Sequence, residues 1–290
     1  MSITGSDVHG LREKLSPACP PEPCFINRMR TVLLIAFLAA CDSSPSEAGP
    51  ISAPTSAPSG PSTAVPASKD AGAKDAGSHA ASDALLRCAQ SKGEIGSIAD
   101  AVARLGALAP NADGPCFVAT LPRPLAVVAT LGVTSAQPAG GRGAPRLFFM
   151  LPKLVISAVP AGDGSKVLEL GEWMGTTRTL KGEIPLPVTG PLAADAPFTR
   201  VLQGTERTLC ATCHRQEERH PTIPNAFVSV AYKPEPGTVV TVEELEELHT
   251  LCTRADDPGS RCAMIHALFD FGEITQGSYA PVVETFFQSP

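Results

Sequence analysis

The sequence predicts an α+β fold, with an antiparallel β unit over about residues 116–190 between two helical parts. Three observations support this. Short apolar runs rich in β-branched residues, each bounded by proline or glycine, are typical of antiparallel strands. Apolar residues recur at helical spacing before these runs and again after them. The number and spacing of the runs favour a sandwich or a barrel-like β unit.

The part before the β unit is expected to be helical. Ser82 stands where the N-cap of a first helix would lie. Ile98, Val102 and Leu105 recur three or four residues apart and give a second helix one apolar face. The turn sequence "NADGP" then ends the helical segment, so Cys116 is expected to open the first strand.

The β unit is expected to contain five runs: "CFVATL", "LAVVATL", "RLFFM", "KLVISAV" and "KVLELGEW". A sixth run, "GEIPLPV", contains two prolines and therefore fits only an edge strand. Residues 191–290 are expected to form a helical unit with one strand, "NAFVSVAY". Its clearest helix is "TVEELEELHTLC", where Thr241 and Glu244 form a capping box. A second helix, "RCAMIHALFDFG", ends at Gly272.

The N-terminal part contains the segment "MRTVLLIAFLAAC", which has one arginine, an apolar run and then Cys41. The run is too short to span a bilayer as a helix and has the proportions of a secretory signal. Its ending, "LAAC", resembles the lipobox of bacterial lipoproteins. That resemblance implies a lipid on Cys41 and removal of residues 1–40. An ordinary signal peptide and a short anchor are the alternatives.

Residues 1–28 make an atypical leading region, so translation is expected to start at Met29. Residues 41–84 consist mainly of Ser, Ala, Pro and Gly and contain no aromatic residue. Such a segment buries too little apolar surface to offset the entropy of ordering, and a flexible tether is expected. One globular domain, 85–290, would follow it. The expected location is the cell envelope, periplasmic or on the outer surface, with the lipid on Cys41 attached to a membrane.

Composition excludes some function classes. The 290 residues carry a net charge of −6 and 5% aromatic residues, which argues against a nucleic-acid surface. The sequence has no GxSxG, HExxH, Walker or GxGxxG motif. An electron carrier or a binding protein is therefore expected rather than an enzyme with turnover.

The chain has nine cysteines, of which six fall in the expected domain. These six are Cys88, Cys116, Cys210, Cys213, Cys252 and Cys262. Cysteines of exported proteins tend to pair, and six cysteines allow fifteen connectivities. One hypothesis pairs Cys88 with Cys116 and Cys252 with Cys262. It leaves the CxxC pair free.

The remaining motif lies in "TLCATCHRQEERHP", where Cys210 and Cys213 are followed directly by His214. It matches the haem-attachment motif of c-type cytochromes. The resemblance covers five residues and implies thioether bonds from both cysteines to a haem c, with His214 as the proximal iron ligand. Met264 is the candidate distal ligand. His220, His249 and His266 are weaker candidates, and a five-coordinate iron is a further option.

Two other interpretations of the motif stay open. Cys210, Cys213, Cys252 and Cys262 could form a zinc site, with His214 as a substitute ligand. Alternatively, the CxxC pair could close a third disulfide. The favoured function is electron transfer or redox sensing by a haem lipoprotein, with a redox protein as partner. The alternatives are a disulfide-stabilised envelope or binding lipoprotein without a cofactor, and a protein with a structural zinc site.

Overall fold

The fold is organised around one large β-sheet. The computed structural model describes residues 82–110, 112–254 and 259–287, which belong to one unit. The signal segment, Cys41 and the tether lie outside these residues. No helix in the described ranges is long and apolar enough to cross a bilayer.

The described ranges contain six α-helices: α1 (Asp83–Cys88), α2 (Ile98–Leu108), α3 (Gly114–Ala119), α4 (Ala196–Val201), α5 (Val242–Arg254) and α6 (Ser260–Phe269). The strands of the large sheet are β1 (Leu125–Thr130), β2 (Arg146–Met150), β3 (Leu154–Ala158), β4 (Val167–Trp173), β5 (Arg178–Pro185), β8 (Glu218–Arg219), β9 (Phe227–Val230), β10 (Val239–Val240) and β11 (Ile274–Gln276). A separate two-stranded hairpin is formed by β6 (Leu202–Gln203) and β7 (Arg207–Thr208).

The large sheet has the order β10-β1-β2-β3-β4-β5-β9-β8, and β11 pairs in parallel with β1. The mixed α+β class predicted from the sequence is therefore confirmed, and the sheet is antiparallel apart from β11. It is a single sheet that does not close, so the expected sandwich or barrel is not formed. Strands from beyond residue 191 join both ends of the sheet, so the C-terminal part contributes directly to the β unit.

The central strands β2 to β5 present two chemically different faces. Alternate residues on one face are buried and apolar: Leu147, Phe149, Leu154, Ile156, Leu168, Leu180 and Ile184. They form the core together with helix residues such as Leu105, Phe117 and Leu268. The intervening residues point to the opposite face, as the two-residue period of a strand requires, and they include polar side chains such as Arg146, Glu169 and Lys181 among apolar ones.

The start of the β unit differs from the prediction. Cys116 was expected to open a strand, and this is wrong, because it lies in α3. The Asp113 side chain accepts a hydrogen bond from the backbone N–H of Cys116 at 2.8 Å and caps this helix, with Pro115 in its first turn. Every residue of α3 is buried, so its apolar run has no periodicity that would distinguish a helix from a strand.

The helix caps predicted from the sequence are confirmed. The Ser82 hydroxyl accepts a hydrogen bond from the backbone N–H of Leu85. Thr241 and Glu244 form the reciprocal capping box. The backbone N–H of Thr241 donates to the Glu244 carboxylate at 2.8 Å, and the backbone N–H of Glu244 donates to the Thr241 hydroxyl at 3.2 Å.

Two disulfides tie the helices together. Cys88 of α1 is bonded to Cys116 of α3, and Cys252 of α5 is bonded to Cys262 of α6. These are the two pairs of the sequence hypothesis. α3 in turn packs against α6, where the Met264 side chain lies beside Gly114.

Removing the Cys88–Cys116 bond should destabilise the domain more than removing the other, because its sequence separation is 28 residues against 10. Loop-closure entropy predicts losses of about 3–4 kcal/mol for Cys88→Ala/Cys116→Ala and about 2–3 kcal/mol for Cys252→Ala/Cys262→Ala. Urea denaturation of both double variants and the parent measures these values. A loss below about 1 kcal/mol for the first variant would contradict the entropic account.

Candidate functional site

A cavity of about 420 Å³ lies on the face of the central strands opposite the core. Its floor includes Arg146 of β2, Glu169 of β4 and Lys181 of β5. The CxxCH segment forms one wall, with Cys210, Cys213 and His214 all among the lining residues. Residues of the C-terminal tail, including Tyr279, Phe286 and Phe287, also line it. The volume falls in the range typical of ligand pockets.

The CxxCH segment is held in a helical turn. Leu209–Thr212 forms a short 3₁₀ helix that begins at Thr208, whose hydroxyl accepts a hydrogen bond from the backbone N–H of Cys210 at 3.1 Å. Thr208 is fixed in turn by the Glu217 carboxylate, which accepts from its backbone N–H at 2.7 Å and from its hydroxyl. The turn explains why both cysteines and the histidine reach the same cavity.

His214 has a defined tautomer. Its Nδ1 lies 2.7 Å from the backbone oxygen of Val230 at the end of β9. A carbonyl oxygen only accepts hydrogen bonds, so Nδ1 carries the proton and Nε2 of the neutral ring keeps its lone pair. Burial, reinforced by the charge of Lys181, lowers the pKa of His214 to about 3. The ring therefore stays neutral at physiological pH.

The His214 ring is also fixed in orientation. It stacks on Tyr232, with ring centroids 5.4 Å apart and an interplanar angle of 22°. Tyr232 meets Phe286 edge-on, with centroids 5.6 Å apart. A histidine that donates from one nitrogen to a backbone carbonyl and presents the other nitrogen is the usual arrangement of a metal-ligating histidine.

Cys210 and Cys213 are free thiols and half-buried. Burial raises the pKa of Cys210, while the Thr208 hydrogen bond and the charge of Lys181 oppose that rise. Because Cys252 is bonded to Cys262, the four-cysteine zinc site considered above is not formed. A third disulfide between Cys210 and Cys213 is not formed either.

Lys181 is the most unusual side chain of the cavity floor. Among the described residues, no hydrogen bond or ion pair holds its ammonium group. Burial lowers the pKa of Lys181 to about 8, although Cys210 and Glu169 partly offset this effect. A substantial fraction of Lys181 is thus a neutral amine with a free lone pair in mildly alkaline solution.

The other polar side chains of the cavity floor form an ion pair and hydrogen bonds with one another. Arg146 forms an ion pair with Glu169 at 2.6 Å and donates to the Ser157 hydroxyl at 3.0 Å. The Ser157 hydroxyl donates to the Gln137 side chain at 2.6 Å. This network fixes the floor but leaves it few groups with which to bind a ligand. Lys181 is the cationic floor group that remains available.

An aromatic cluster closes another side of the cavity. Tyr279 meets Phe148 and Trp173 edge-on, with ring centroids 6.0 and 6.4 Å apart. Burial raises the pKa of Tyr279, so its phenol remains protonated. The cavity therefore combines apolar and aromatic walls with a few polar groups, which is typical of small-molecule and cofactor sites.

The structure brings together three of the predicted site residues and leaves others apart. Cys210, Cys213 and His214 share the cavity, whereas Met264 is 2% exposed in the core and borders a different cavity beside α3. The other distal-ligand candidates, His220, His249 and His266, are also not among the described residues that line the cavity. Lys181 and Tyr279 were missed, since neither belongs to a motif.

The comparisons with known proteins add no further assignment. The chain matches no protein-family profile, no curated protein and no solved structure.

Replacing Lys181 should make Cys210 less reactive. The Lys181 charge lowers the pKa of Cys210, so Lys181→Met should raise that pKa and reduce the thiolate fraction. Alkylation of the protein by iodoacetamide at pH 7, where Lys181 is mostly charged, measures this in a Cys213→Ser background. The matched control is Lys166→Met, an exposed lysine paired with Asp163 outside the cavity. An equal or faster rate in Lys181→Met would contradict the expectation.

Proposed function

We propose that this protein is an exported, lipid-anchored haem protein that transfers single electrons or senses redox state at a membrane. Cys210 and Cys213 would form the thioether bonds, and His214 would ligate the iron. The bound haem would supply a one-electron Fe(III)/Fe(II) couple. The observation that carries the proposal is the His214–Val230 hydrogen bond, which leaves Nε2 with its lone pair on a ring that lines the same cavity as two free thiols.

The donor set fits a covalent haem. Thioether formation needs two thiols that are not already paired, and the other four cysteines of the described chain form two disulfides. The proximal ligand needs an unprotonated nitrogen, and the low pKa of His214 keeps its ring neutral. Aromatic and apolar side chains line part of the cavity, and the environment around a bound haem is one of the factors that would set its potential.

The distal side of the iron is expected to differ from that of a Met-ligated cytochrome. The cavity lining in the described chain contains neither methionine nor a second histidine. Its available nitrogen donor is Lys181, whose lowered pKa supplies a neutral amine near pH 8. Lys181 would therefore be the side chain available as a further ligand of a bound haem iron, and the optical spectrum of the loaded protein would report whether it binds.

A cofactor-free binding lipoprotein is a second candidate function. The observation that favours it is the cavity itself, which is already open in the structure and lined by large apolar side chains such as Phe148 and Phe286. In that case the chain would hold a small apolar ligand without a covalent bond. The thiols of Cys210 and Cys213 would then remain free in the exported protein.

Haem attachment is tested on full-length protein exported in a host with a cytochrome c maturation system. We expect a Soret band and an added mass of about 616 Da. Cys210→Ser/Cys213→Ser should lose the covalent haem, and His214→Ala should alter the Soret band. His220→Ala is the matched control and should leave both unchanged. Colourless exported protein without the added mass of about 616 Da would overturn the haem proposal and favour the binding lipoprotein.

The lipid anchor is tested by Cys41→Ser. We expect this variant to appear in the soluble envelope fraction and to lose incorporation of labelled palmitate, because one cysteine would carry the acyl chains. Cys24→Ser is the control and should remain in the membrane fraction, since the proposed start at Met29 excludes residue 24. Retention of Cys41→Ser in the membrane would contradict the lipobox assignment.

A further inference from the structure

A second cluster of metal-ligating side chains lies between α5 and α6. His249 of α5 and His266 and Asp270 at the end of α6 place one potential ligand atom each within 4.8 Å of one another. Nε2 of His249 lies 2.7 Å from one oxygen of the Asp270 carboxylate, and Nδ1 of His266 lies 2.8 Å from the other. None of the three lines the cavity at His214.

The fold holds these side chains in place. The Cys252–Cys262 disulfide joins the two helices, with His249 three residues before one cysteine and His266 four residues after the other. Each histidine therefore lies about one helical turn from the covalent link. The His249 ring also stacks on Phe269, with centroids 5.2 Å apart and an interplanar angle of 29°. The ligand atoms are thus positioned by rigid elements rather than by a loop.

The donor set is chemically specific. Two imidazole nitrogens and one carboxylate oxygen suit zinc and neighbouring divalent transition metals, whereas calcium and magnesium prefer oxygen ligands. Both hydrogen-bonded nitrogens currently point at the same carboxylate. An ion taking that position would accept a lone pair from each nitrogen, and each ring proton would reside on the other ring nitrogen.

The cluster is also accessible. The side chains of His249, Asp270 and His266 are 25%, 19% and 10% exposed, so an ion can enter from solvent while most of each ligand is packed. The geometry points to a transition-metal site formed by His249, His266 and Asp270, with zinc or a similar divalent ion held by three protein ligands. A fourth position would be filled by water, as in zinc sites that keep an open coordination position. This inference does not depend on the proposed haem.

The test uses full-length disulfide-bonded protein in a Cys210→Ser/Cys213→Ser background, which removes the two free thiols as competing zinc ligands. Titration with ZnCl₂ by calorimetry should show one bound ion, and CoCl₂ should produce visible d–d bands of a low-coordinate site. His249→Ala and Asp270→Asn should each weaken zinc binding at least about tenfold, and His249→Ala/His266→Ala should abolish the cobalt bands. His220→Ala is the matched control and should bind as the parent does.

Each outcome of the zinc titration either supports or overturns the proposed metal site. Far-UV circular dichroism and thermal melting confirm that each variant is folded, and Asp270→Asn keeps the size of the side chain if the histidine variants are unstable. Loss of binding in folded variants together with retention in His220→Ala supports the site. Absence of zinc binding by the parent at millimolar metal, or equal affinities in parent and Asp270→Asn, would overturn it.

Discussion

The two-residue period of strands β2 to β5 is the constraint on which the rest of the structure depends. It sends Leu180 into the core and Lys181, its neighbour, onto the floor of the cavity. A slip of one residue in the pairing of β5 would exchange these two positions and bury an unpaired ammonium group. The cost of that exchange secures the register. The same register places Gly171 directly opposite Lys181 on β4, so the paired position carries no side chain.

Strand β9 connects the candidate site to the central strands of the sheet. β9 pairs with β5. Its last residue, Val230, contacts the CxxCH segment and the next residue through its backbone N–H and its carbonyl oxygen. Its N–H donates to the Arg215 oxygen at 3.1 Å, and its oxygen accepts from His214 at 2.7 Å. The wall of the cavity is therefore attached to the sheet by hydrogen bonds to the backbone of Val230. The tautomer of His214, which decides whether Nε2 can bind a metal, follows from that attachment.

Local signals explain what the sequence predicted correctly. The caps at Ser82 and Thr241 and the strand at β9 depend on residues within a few positions of each other, so their patterns are visible in the chain. The prediction for Cys116 was wrong because α3 is buried on all sides and has no periodicity. The long-range pairing of β10 and β11 with β1 was also not predictable, because it depends on how the distant C-terminal part packs.

The residues of the candidate site also divide into those that a local motif reveals and those that only the structure reveals. The CxxCH motif is local, and its three residues were found from spacing alone. Lys181 has no motif, and only the sheet register and the missing partner make it notable. The cluster of His249 and His266 is intermediate: the (i, i+4) relation of His266 to Asp270 is readable on one helix, but the approach of His249 requires the packing of α5 on α6.

The disulfides connect these features to the compartment in which the protein would fold. In an oxidising environment, thiols that lie close together tend to pair, and the two disulfides of the described chain consume four cysteines. Cys210 and Cys213 lie one turn apart on a wall fixed by Thr208 and Glu217, and they remain free. Half-burial and the raised pKa of Cys210 slow its oxidation, because the thiolate is the reactive species. In the proposed function, the same wall would present both thiols to the cavity.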